Sequence, residues 1–417
     1  MIDNQQHGDR LSRDQALKQR AKVVIPGGMY GHQSTWQLPA DYPQFFSRGE
    51  AGHVWDSDGN EYIDFMSSYG PIILGHRHRA VEQAVAKQLA SGDCFNGPSP
   101  VIVELAEQLC DQVSHADWNL FAKNGTDATT LCVSIARAYN NKRKILVASN
   151  AYHGAAPWCT PVPTGTTDSD RVHLIHYQFN DIPSLEAAIT LAGEDLAGIL
   201  VSAFQHDNVV DQQMPELAFA QYLRRRCDEL DAALIVDEVR AGLRLHRGAS
   251  WELLGVEPDL SAWSKAIANG YALASVMGSE KYRKAARSVF STGSFWFTAA
   301  AMAAAQATLR VIDSEQVIER ISALGETFRA GLDRQADSYS IGISQSGPAQ
   351  IPLILFKDDS KNNKERGNFF CNEAIKLGLY LHPKHNMFFN GGHNEQDISQ
   401  ALDICDQAFK ALKMHYY

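Results

Sequence analysis

The sequence predicts an α/β protein whose large domain contains a largely parallel sheet. Short apolar runs in the middle of the chain have the composition of buried strands, and helical stretches such as 184–191 and 219–230 lie between them. The strand candidates are KILVAS (144–149), HLIHY (173–177), GILVSA (198–203) and ALIVDE (233–238). Because parallel strands need crossover connections, this alternation indicates a sheet that is covered by helices on both faces.

The two ends of the chain predict a smaller α+β lobe. Near the start, Val54-Trp55 and Tyr62-Ile63 flank a DSDGN turn, which is a hairpin pattern. After about residue 320 the chain alternates helices with runs such as IPLILF (351–356). We therefore expect three segments: 1–75 as the N-terminal part of the small lobe, 76–320 as the large cofactor-binding domain, and 321–417 as the C-terminal small domain.

The bulk properties exclude several classes of protein. The net charge of −10 argues against a protein built to coat nucleic acid or an anionic membrane. Seven scattered cysteines without a C-x-x-C pair fit free thiols in a reducing compartment, with no metal site. The polar N-terminus is not a secretory signal, and no apolar run reaches the ~20 residues of a membrane span. A cytoplasmic protein is expected.

A candidate phosphate site lies at Asn124-Gly125-Thr126-Asp127. These residues follow a short apolar run and precede a helix with apolar positions at Leu131 and Ile135. A Gly-Thr turn between strand and helix directs amides and a hydroxyl at one point, as phosphate binding requires. Asn, Thr and Asp are also ordinary helix caps, so the turn alone fits both interpretations.

Lys265 is the candidate nucleophile. It lies in DLSAWSKAIANGYALAS (259–275), between an aromatic run and a run of small residues with a glycine. A buried ammonium in such apolar surroundings is costly, whereas the neutral amine can form a Schiff base with an aldehyde. The alternative is a surface lysine at the edge of a loop.

One type of cofactor needs the three groups that are found at Asp237, at Lys265 and in the Gly125-Thr126 turn. A pyridine that carries an aldehyde and a phosphate requires a lysine, a carboxylate for its ring nitrogen, and amides and hydroxyls for its phosphate. An aspartate at the end of a strand can also cap the next turn, but all three features coincide here. A nicotinamide dehydrogenase is disfavoured, because no G-x-G-x-x-G follows the first strand.

With these pieces, the chain resembles the class III aminotransferases, and within them the glutamate-1-semialdehyde 2,1-aminomutase branch. The resemblance extends from IPGG (25–28) to GGHNEQDI (391–398), and its most specific pieces are VWDSDGNEYIDF, KNGTDAT, AYHG, IVDEVRAG and WSKAIANG. It implies the aspartate-aminotransferase fold (fold type I), with a mostly parallel seven-stranded sheet and a small domain formed from both termini. It also implies pyridoxal 5'-phosphate and a homodimer with composite active sites.

The resemblance gives three residues catalytic roles. Lys265 would form the Schiff base with the cofactor and then carry protons between the substrate carbon and the cofactor. Asp237 would pair with the pyridinium nitrogen and make the ring an electron sink. Tyr152 in AYHG would stack on one face of the ring, and the neighbouring His153 would support that loop.

The same resemblance implies five further cofactor contacts. Val239 would press on the second face of the ring, while Gly125 and Thr126 would hold the phosphate. Gln205 would bond the ring hydroxyl. Ser294 would reach the phosphate bound by the partner subunit.

The sequence departs from the family in the regions that hold the substrate carboxylate. Ser202 and Ala203 stand where the family usually has Glu-Pro. The aminomutases have an arginine in the N-terminal loop, but here none occurs between Arg20 and Arg48, and 378–393 has none either. Five residues are candidates for lining a different, more aromatic substrate pocket, and plain packing is the alternative role for each of them. These residues are His32, Tyr69, Trp158, Trp296 and His382.

We therefore expect an aminotransferase that moves an amino group from an amine or amino acid to a carbonyl acceptor through the Lys265 Schiff base. Small molecules are the expected substrates, with no nucleic acid and no membrane as partners. One alternative is intramolecular amino transfer, as in an aminomutase, or racemisation on the same scaffold. The other is a cofactor-free relative that acts as a binding or scaffold protein.

Overall fold

The computed structural model describes residues 12–34, 38–39, 42–206, 210–360 and 363–416. The helices in these ranges are α1 (Ser12–Val24), α2 (Arg79–Ser91), α3 (Val101–Gln112), α4 (Gly125–Asn140), α5 (Asp168–Arg171), α6 (Ile182–Ala192), α7 (Leu217–Leu230), α8 (Glu280–Ser288), α9 (Ala299–Ser314), α10 (Val317–Ser338), α11 (Glu365–Lys376) and α12 (Glu395–Tyr416). The strands are β1 (Phe46–Glu50), β2 (His53–Asp56), β3 (Glu61–Asp64), β4 (Trp118–Ala122), β5 (Lys144–Ala148), β6 (Leu174–Tyr177), β7 (Leu196–Ser202), β8 (Ala233–Asp237), β9 (Leu260–Trp263), β10 (Ala274–Gly278), β11 (Ile343–Ser346), β12 (Leu353–Phe356) and β13 (Leu379–Tyr380).

The large domain is organised around a seven-stranded sheet in the order β4-β10-β9-β8-β7-β5-β6. Strands β5 to β9 pair in parallel, and β10 is antiparallel to both of its neighbours. This architecture confirms the predicted fold class, and all four predicted strands belong to the sheet. Because β10 is reversed between β4 and β9, the carboxyl end of β4 lies at the same edge as those of the parallel strands.

Apolar side chains cover both faces of this sheet. Along β7, Ile199 packs into one buried cluster and Leu200 into the other, and Leu234 and Ile235 divide in the same way along β8. This alternation follows from the two-residue repeat of a strand. Every residue of β7 and β8 is buried, as is typical of central parallel strands.

The small lobe joins the two ends of the chain in one sheet. The predicted hairpin is present as β2 and β3, which pair antiparallel, and β1 extends it on one side. On the other side β13 pairs in parallel with β3, with Leu379 opposite Ile63. The prediction of a small domain formed from both termini is therefore confirmed.

The described residues contain neither a membrane-spanning helix nor a cluster of metal-ligating side chains. Among the described helices, none combines the length and the hydropathy of a membrane span. Within the same ranges, no group of three or more His, Cys, Asp or Glu side chains is placed to hold a metal ion.

Candidate active site

A cavity of about 560 Å³ lies at the carboxyl ends of the central strands. Ligands bind at this edge of α/β sheets, because the loops that follow the strands converge there. Six of the eight predicted site residues line the cavity: Gly125, Thr126, Tyr152, Asp237, Val239 and Lys265. Four separate loops therefore bring these six residues together, and their roles stay predictions.

Lys265 follows β9 and begins a short 3-10 turn (Lys265–Ala268). Its φ of +50° lies in the left-handed region, a conformation that costs about 1–2 kcal/mol for a residue with a side chain. Next to it, Ser264 Oγ donates to the carbonyl of Leu273 at 2.9 Å, which helps to fix the turn. Such backbone strain at one residue is common at active sites.

The charge state of Lys265 is set by burial. Burial lowers the pKa of Lys265 to about 7, and the positive charges of Arg240 and Arg244 act in the same direction while Asp237 opposes them. A large fraction of this amine is therefore neutral near pH 7, unlike an ordinary lysine. A neutral amine in a cavity is able to act as a nucleophile or as a base.

Asp237 ends β8 and is held in a fixed orientation. His153 Nδ1 lies 2.8 Å from Asp237 Oδ2, and the backbone N–H of Val239 donates to Asp237 Oδ1 at 3.0 Å. His153 is itself anchored, because Thr129 Oγ1 donates to its carbonyl at 2.7 Å. Asp237 and His153 are both buried, so this carboxylate is presented to the cavity in one geometry.

The predicted phosphate turn forms the start of α4. Asp127 accepts from the backbone N–H of Asn124 at 2.9 Å and fixes the turn, so the first amides of α4 point at the cavity. A Cβ on Gly125 would lie 2.8 Å from Val239 Cγ1, which explains the glycine. The Thr126 hydroxyl accepts from the Ala155 N–H at 3.1 Å.

Two predicted residues lie outside the cavity lining. Gln205 bridges to Gln213 through the backbone, and its neighbour His206 lines the cavity instead. Ser294 lies on an exposed loop, where its carbonyl accepts from Cys94 Sγ. The roles predicted for both residues remain predictions.

The aromatic candidates have mixed outcomes. Tyr69 lines the cavity, whereas Trp158, Trp296 and His382 are absent from the lining found among the described residues. The side chain of His32 lies outside the described part of the structure. Two histidine rings face Tyr69, His385 at 5.1 Å and His382 at 6.0 Å between ring centroids.

Tyr69 is placed by an unusual turn. Ser67, Ser68, Tyr69 and Gly70 all have left-handed φ angles, of +46°, +55°, +63° and +108°. Several hydrogen bonds hold this turn, including one from the Ser67 N–H to Asp64 Oδ1 at 2.9 Å. The strain of three non-glycine residues is therefore offset by contacts on both sides of the turn.

Two arginines in the IVDEVRAG motif and just after it were not predicted. Arg240 lines the cavity and is 8% exposed, and Arg244 is fully buried. Arg244 donates to the carbonyls of Gly70, Ile72 and Phe389 at 2.6, 3.0 and 2.7 Å. The signal for Arg240 is its place in the motif, directly after the predicted residue Val239.

The chain matches known proteins over nearly its whole length. The sequence profile of the family "Aminotransferase class-III" matches residues 38–390. An aminopentol aminotransferase of Sphingopyxis macrogoltabida is 45% identical over 96% of this chain and 94% of its own length. A glutamate-1-semialdehyde 2,1-aminomutase of Desulforamulus reducens is 29% identical over 96% and 98%.

A solved structure shares the fold in detail. The FumI protein of Sphingopyxis sp. MTA144, in what is described as its PLP internal aldimine form, superposes with a TM-score of 0.94. It is 46% identical in sequence, and the match covers 96% of each chain.

The lowered pKa of Lys265 gives a direct prediction. In the cofactor-free protein, we expect the reaction of Lys265 with a small aldehyde and a reductant to rise with pH around a midpoint near 7. Mass spectrometry of the Lys265 peptide measures this, with free Nα-acetyl-lysine amide in the same tube as a reference that titrates at about 10.4. A Lys265 curve that coincides with the reference curve would show that burial does not lower this pKa.

Proposed function

The chain belongs to the class III aminotransferases, and we propose that the cavity beside Lys265 transfers an amino group from an amine donor to a carbonyl acceptor. Pyridoxal 5'-phosphate is the cofactor of this family, and both substrates are small molecules. The observation that supports the proposal most strongly is that Lys265, with its lowered pKa, shares one cavity with the fixed carboxylate of Asp237.

The residues that line the cavity fit this cofactor. When bound, pyridoxal phosphate supplies an aldehyde that receives amino groups and a ring that withdraws electrons from the substrate carbon. The first turn of α4, with Gly125 and Thr126, is suited to its phosphate. Tyr152 and Val239 supply an aromatic and a branched apolar side chain for the two faces of the ring. Gln205 stays a candidate for the ring hydroxyl.

Lys265 is proposed as the proton carrier of the reaction. Its Nζ, about half of which is neutral near pH 7, accepts the proton that leaves the substrate carbon and returns it during the transfer. The left-handed backbone at Lys265 and the packing of its side chain beside Gly70 hold the amine in the cavity. The matched pKa supports this role, because a general base works best when its pKa is close to the working pH.

Asp237 is proposed as the partner of the ring nitrogen. Its charge holds a proton on that nitrogen, and this keeps the ring electron-poor. His153 is proposed as a positioning residue, because its hydrogen bond to Oδ2 fixes the orientation of the carboxylate. Asp237 and His153 are both buried, so little water is present to weaken the attraction between the carboxylate and the ring nitrogen.

The donor is proposed to be an amine on a hydroxylated carbon chain. One relative, at 45% identity, is an aminopentol aminotransferase by name. The absence of arginine from 21–47 and from 378–393 also disfavours a carboxylate grip by those segments. An amine whose reacting carbon has no carboxylate agrees with both observations.

We also propose a homodimer with composite active sites. The loop 289–298 exposes large apolar side chains: Phe290 is 91% exposed, Phe295 66% and Phe297 40%. Exposed apolar residues clustered on one loop are typical of a surface that a partner covers. Ser294 lies in the same loop, where the resemblance gives it a contact with the phosphate of the partner subunit.

We also propose the domain boundaries near residues 75 and 320 and a cytoplasmic location. The boundaries near residues 75 and 320 are supported by the pairing of β3 with β13, which brings the terminal segments together. A cytoplasmic location is supported by the seven cysteines, which are all free.

The amino transfer is tested with the loaded enzyme and a panel of amines. An accepted donor, supplied alone, should convert the cofactor to its aminated form once, and added pyruvate should restore the original absorption and allow turnover. Lys265→Ala should lower turnover by about 10³-fold or more, because it removes the base. Lys284→Ala, on the exposed side of α8, is the matched control.

The result also separates the alternative reactions. A mutase or a racemase would turn over a single substrate with no acceptor present. A sample that takes up no cofactor and gives no spectral change with any amine would instead support the binding or scaffold protein. Full turnover by Lys265→Ala would contradict the proposal.

The hydrogen bond between His153 and Asp237 predicts an effect on cofactor affinity. His153→Leu leaves a buried carboxylate without its charge-assisted partner, so we expect pyridoxal phosphate to bind about 10- to 100-fold more weakly. Absorbance titration of the cofactor-free protein measures this, with the exposed His176→Leu as control. An unchanged dissociation constant in a folded His153→Leu protein would remove His153 from its proposed role.

The exposed loop predicts the site of dimerisation. Phe290→Ser and Phe295→Ser should each weaken the dimer by about 10-fold or more, because large aromatic side chains dominate interface energies. Analytical ultracentrifugation measures the dissociation constant, and Val172→Ser, at a residue that is 64% exposed, is the control. Equal dimer stability in all three variants would place the interface elsewhere.

A further inference from the structure

Arg240 is a buried cation whose partners in the described chain leave much of its hydrogen-bonding capacity open. Its Nη1 donates to Asn386 Oδ1 at 2.7 Å, and its Nε is buried without a partner among the described residues. The side chain is 8% exposed and lines the cavity. Buried guanidinium groups are normally paired with an anion, so this arrangement calls for one.

Among the residues that the structure describes, none supplies that anion. The carboxylate whose charge Arg240 feels most strongly is Asp237, which is already bonded to His153 and to the Val239 N–H. Burial lowers the pKa of Arg240 to about 10, so the guanidinium stays charged at neutral pH. A fixed positive charge therefore faces a cavity that receives small molecules.

Two histidines that line the cavity are neutral hydrogen-bonding groups near pH 7. Burial and the charge of Arg240 lower the pKa values of His206 and His385 well below the ordinary range. Lys265, with a pKa lowered to about 7, is about half neutral at that pH. Arg240 therefore adds a permanent positive charge to the cavity lining, and the two imidazoles can add hydrogen bonds to an anion.

The position of the charge limits the kind of anion. Arg240 and Lys265 line the same cavity, and the charge of Arg240 is one of the causes that lower the pKa of Lys265. A carboxylate held by Arg240 is therefore close to the carbon that reacts. A 2-oxo acid meets this condition, because its carboxylate is bonded directly to its carbonyl carbon. A guanidinium binds a carboxylate through two parallel N–H donors, and the free Nε is one of the donors available for this.

We propose that Arg240 binds the carboxylate of the 2-oxo acid acceptor, and so selects acceptors in which this group adjoins the carbonyl. The inference rests on the proposed amino transfer. Arg240 thereby takes the place of the arginines that are missing from the terminal segments. Asn386 positions the guanidinium through its hydrogen bond to Nη1.

The test compares two acceptors of similar size and shape, one with a carboxylate and the other with a neutral amide. The aminated enzyme is mixed with pyruvate or with pyruvamide, and the return of the cofactor absorption gives a second-order rate constant for each. Arg240→Gln should lower the preference for pyruvate over pyruvamide by about 100-fold, because one partner of a charge-assisted pair is lost. Arg240→Lys keeps the charge without the fork and should lose about 10-fold. The exposed, ion-paired Arg225→Gln is the control, and its preference should equal that of the wild type.

A second measurement does not depend on turnover. Calorimetric titration with propionate, which cannot react, should show binding to the wild type that is about 100-fold weaker in Arg240→Gln. The wild type could bind propionate although no amine converts its cofactor to the aminated form. That result would contradict the proposed amino transfer and would still support a carboxylate site at Arg240.

Two outcomes would overturn the role of Arg240. An unchanged preference for pyruvate in a folded Arg240→Gln enzyme would exclude a contact with the acceptor carboxylate. Equal losses with both acceptors, together with a shifted absorption maximum of the resting enzyme, would show that Arg240 holds an oxygen of the cofactor instead. Circular dichroism and thermal unfolding establish that each variant is folded.

Discussion

The position of Arg244 is the constraint on which the rest of the site depends. Its guanidinium is fully buried and donates to carbonyls of Gly70, Ile72 and Phe389, which belong to opposite ends of the chain. Arg244 itself follows β8 of the large domain. One side chain therefore holds both terminal segments against the large sheet beside the cavity. The left-handed turn that places Tyr69 ends at Gly70, so its geometry depends on the same contact.

The same arginine also contributes to the chemistry of Lys265. Burial lowers the pKa of Arg244 to about 9, of Arg240 to about 10 and of Lys265 to about 7. Three cations buried together repel one another, and the group with the lowest unperturbed pKa loses its proton first. That group is the lysine, because the unperturbed pKa of lysine is lower than that of arginine. The two guanidinium groups therefore stay charged at neutral pH, while about half of the amine is neutral. The structural arginine and the cavity arginine both lower the pKa of Lys265.

The sequence predicted those features whose signals are local. Strands β5 to β8 were predicted because continuous apolar runs mark buried parallel strands. Strands β9 and β10 were missed, because serine and small residues interrupt their pattern. Ser261 in β9 is tolerated in the core because His115 and the Trp263 N–H bond its hydroxyl at 2.8 and 2.7 Å. Tertiary partners of that kind leave no mark on a hydrophobic pattern. Arg240 directly follows the predicted residue Val239, but the partner that holds its guanidinium, Asn386, is 146 residues away and leaves no local signal.

The run from Asp237 to Arg240 suggests how one cavity serves two unlike substrates. Asp237 ends the buried strand β8, and Val239 and Arg240 lie in the turn that directly follows it, so the proposed contacts to the ring nitrogen, the ring face and the acceptor carboxylate are fixed relative to one another. A fixed distance suits a 2-oxo acid, whose carboxylate and carbonyl are adjacent. The opposite walls come from loops, including Tyr30, which is 73% exposed, and Tyr271. Loops tolerate changes in size and polarity that a central strand does not. The rigid wall is therefore suited to recognise the common acceptor, and the loops are suited to adapt to the donor.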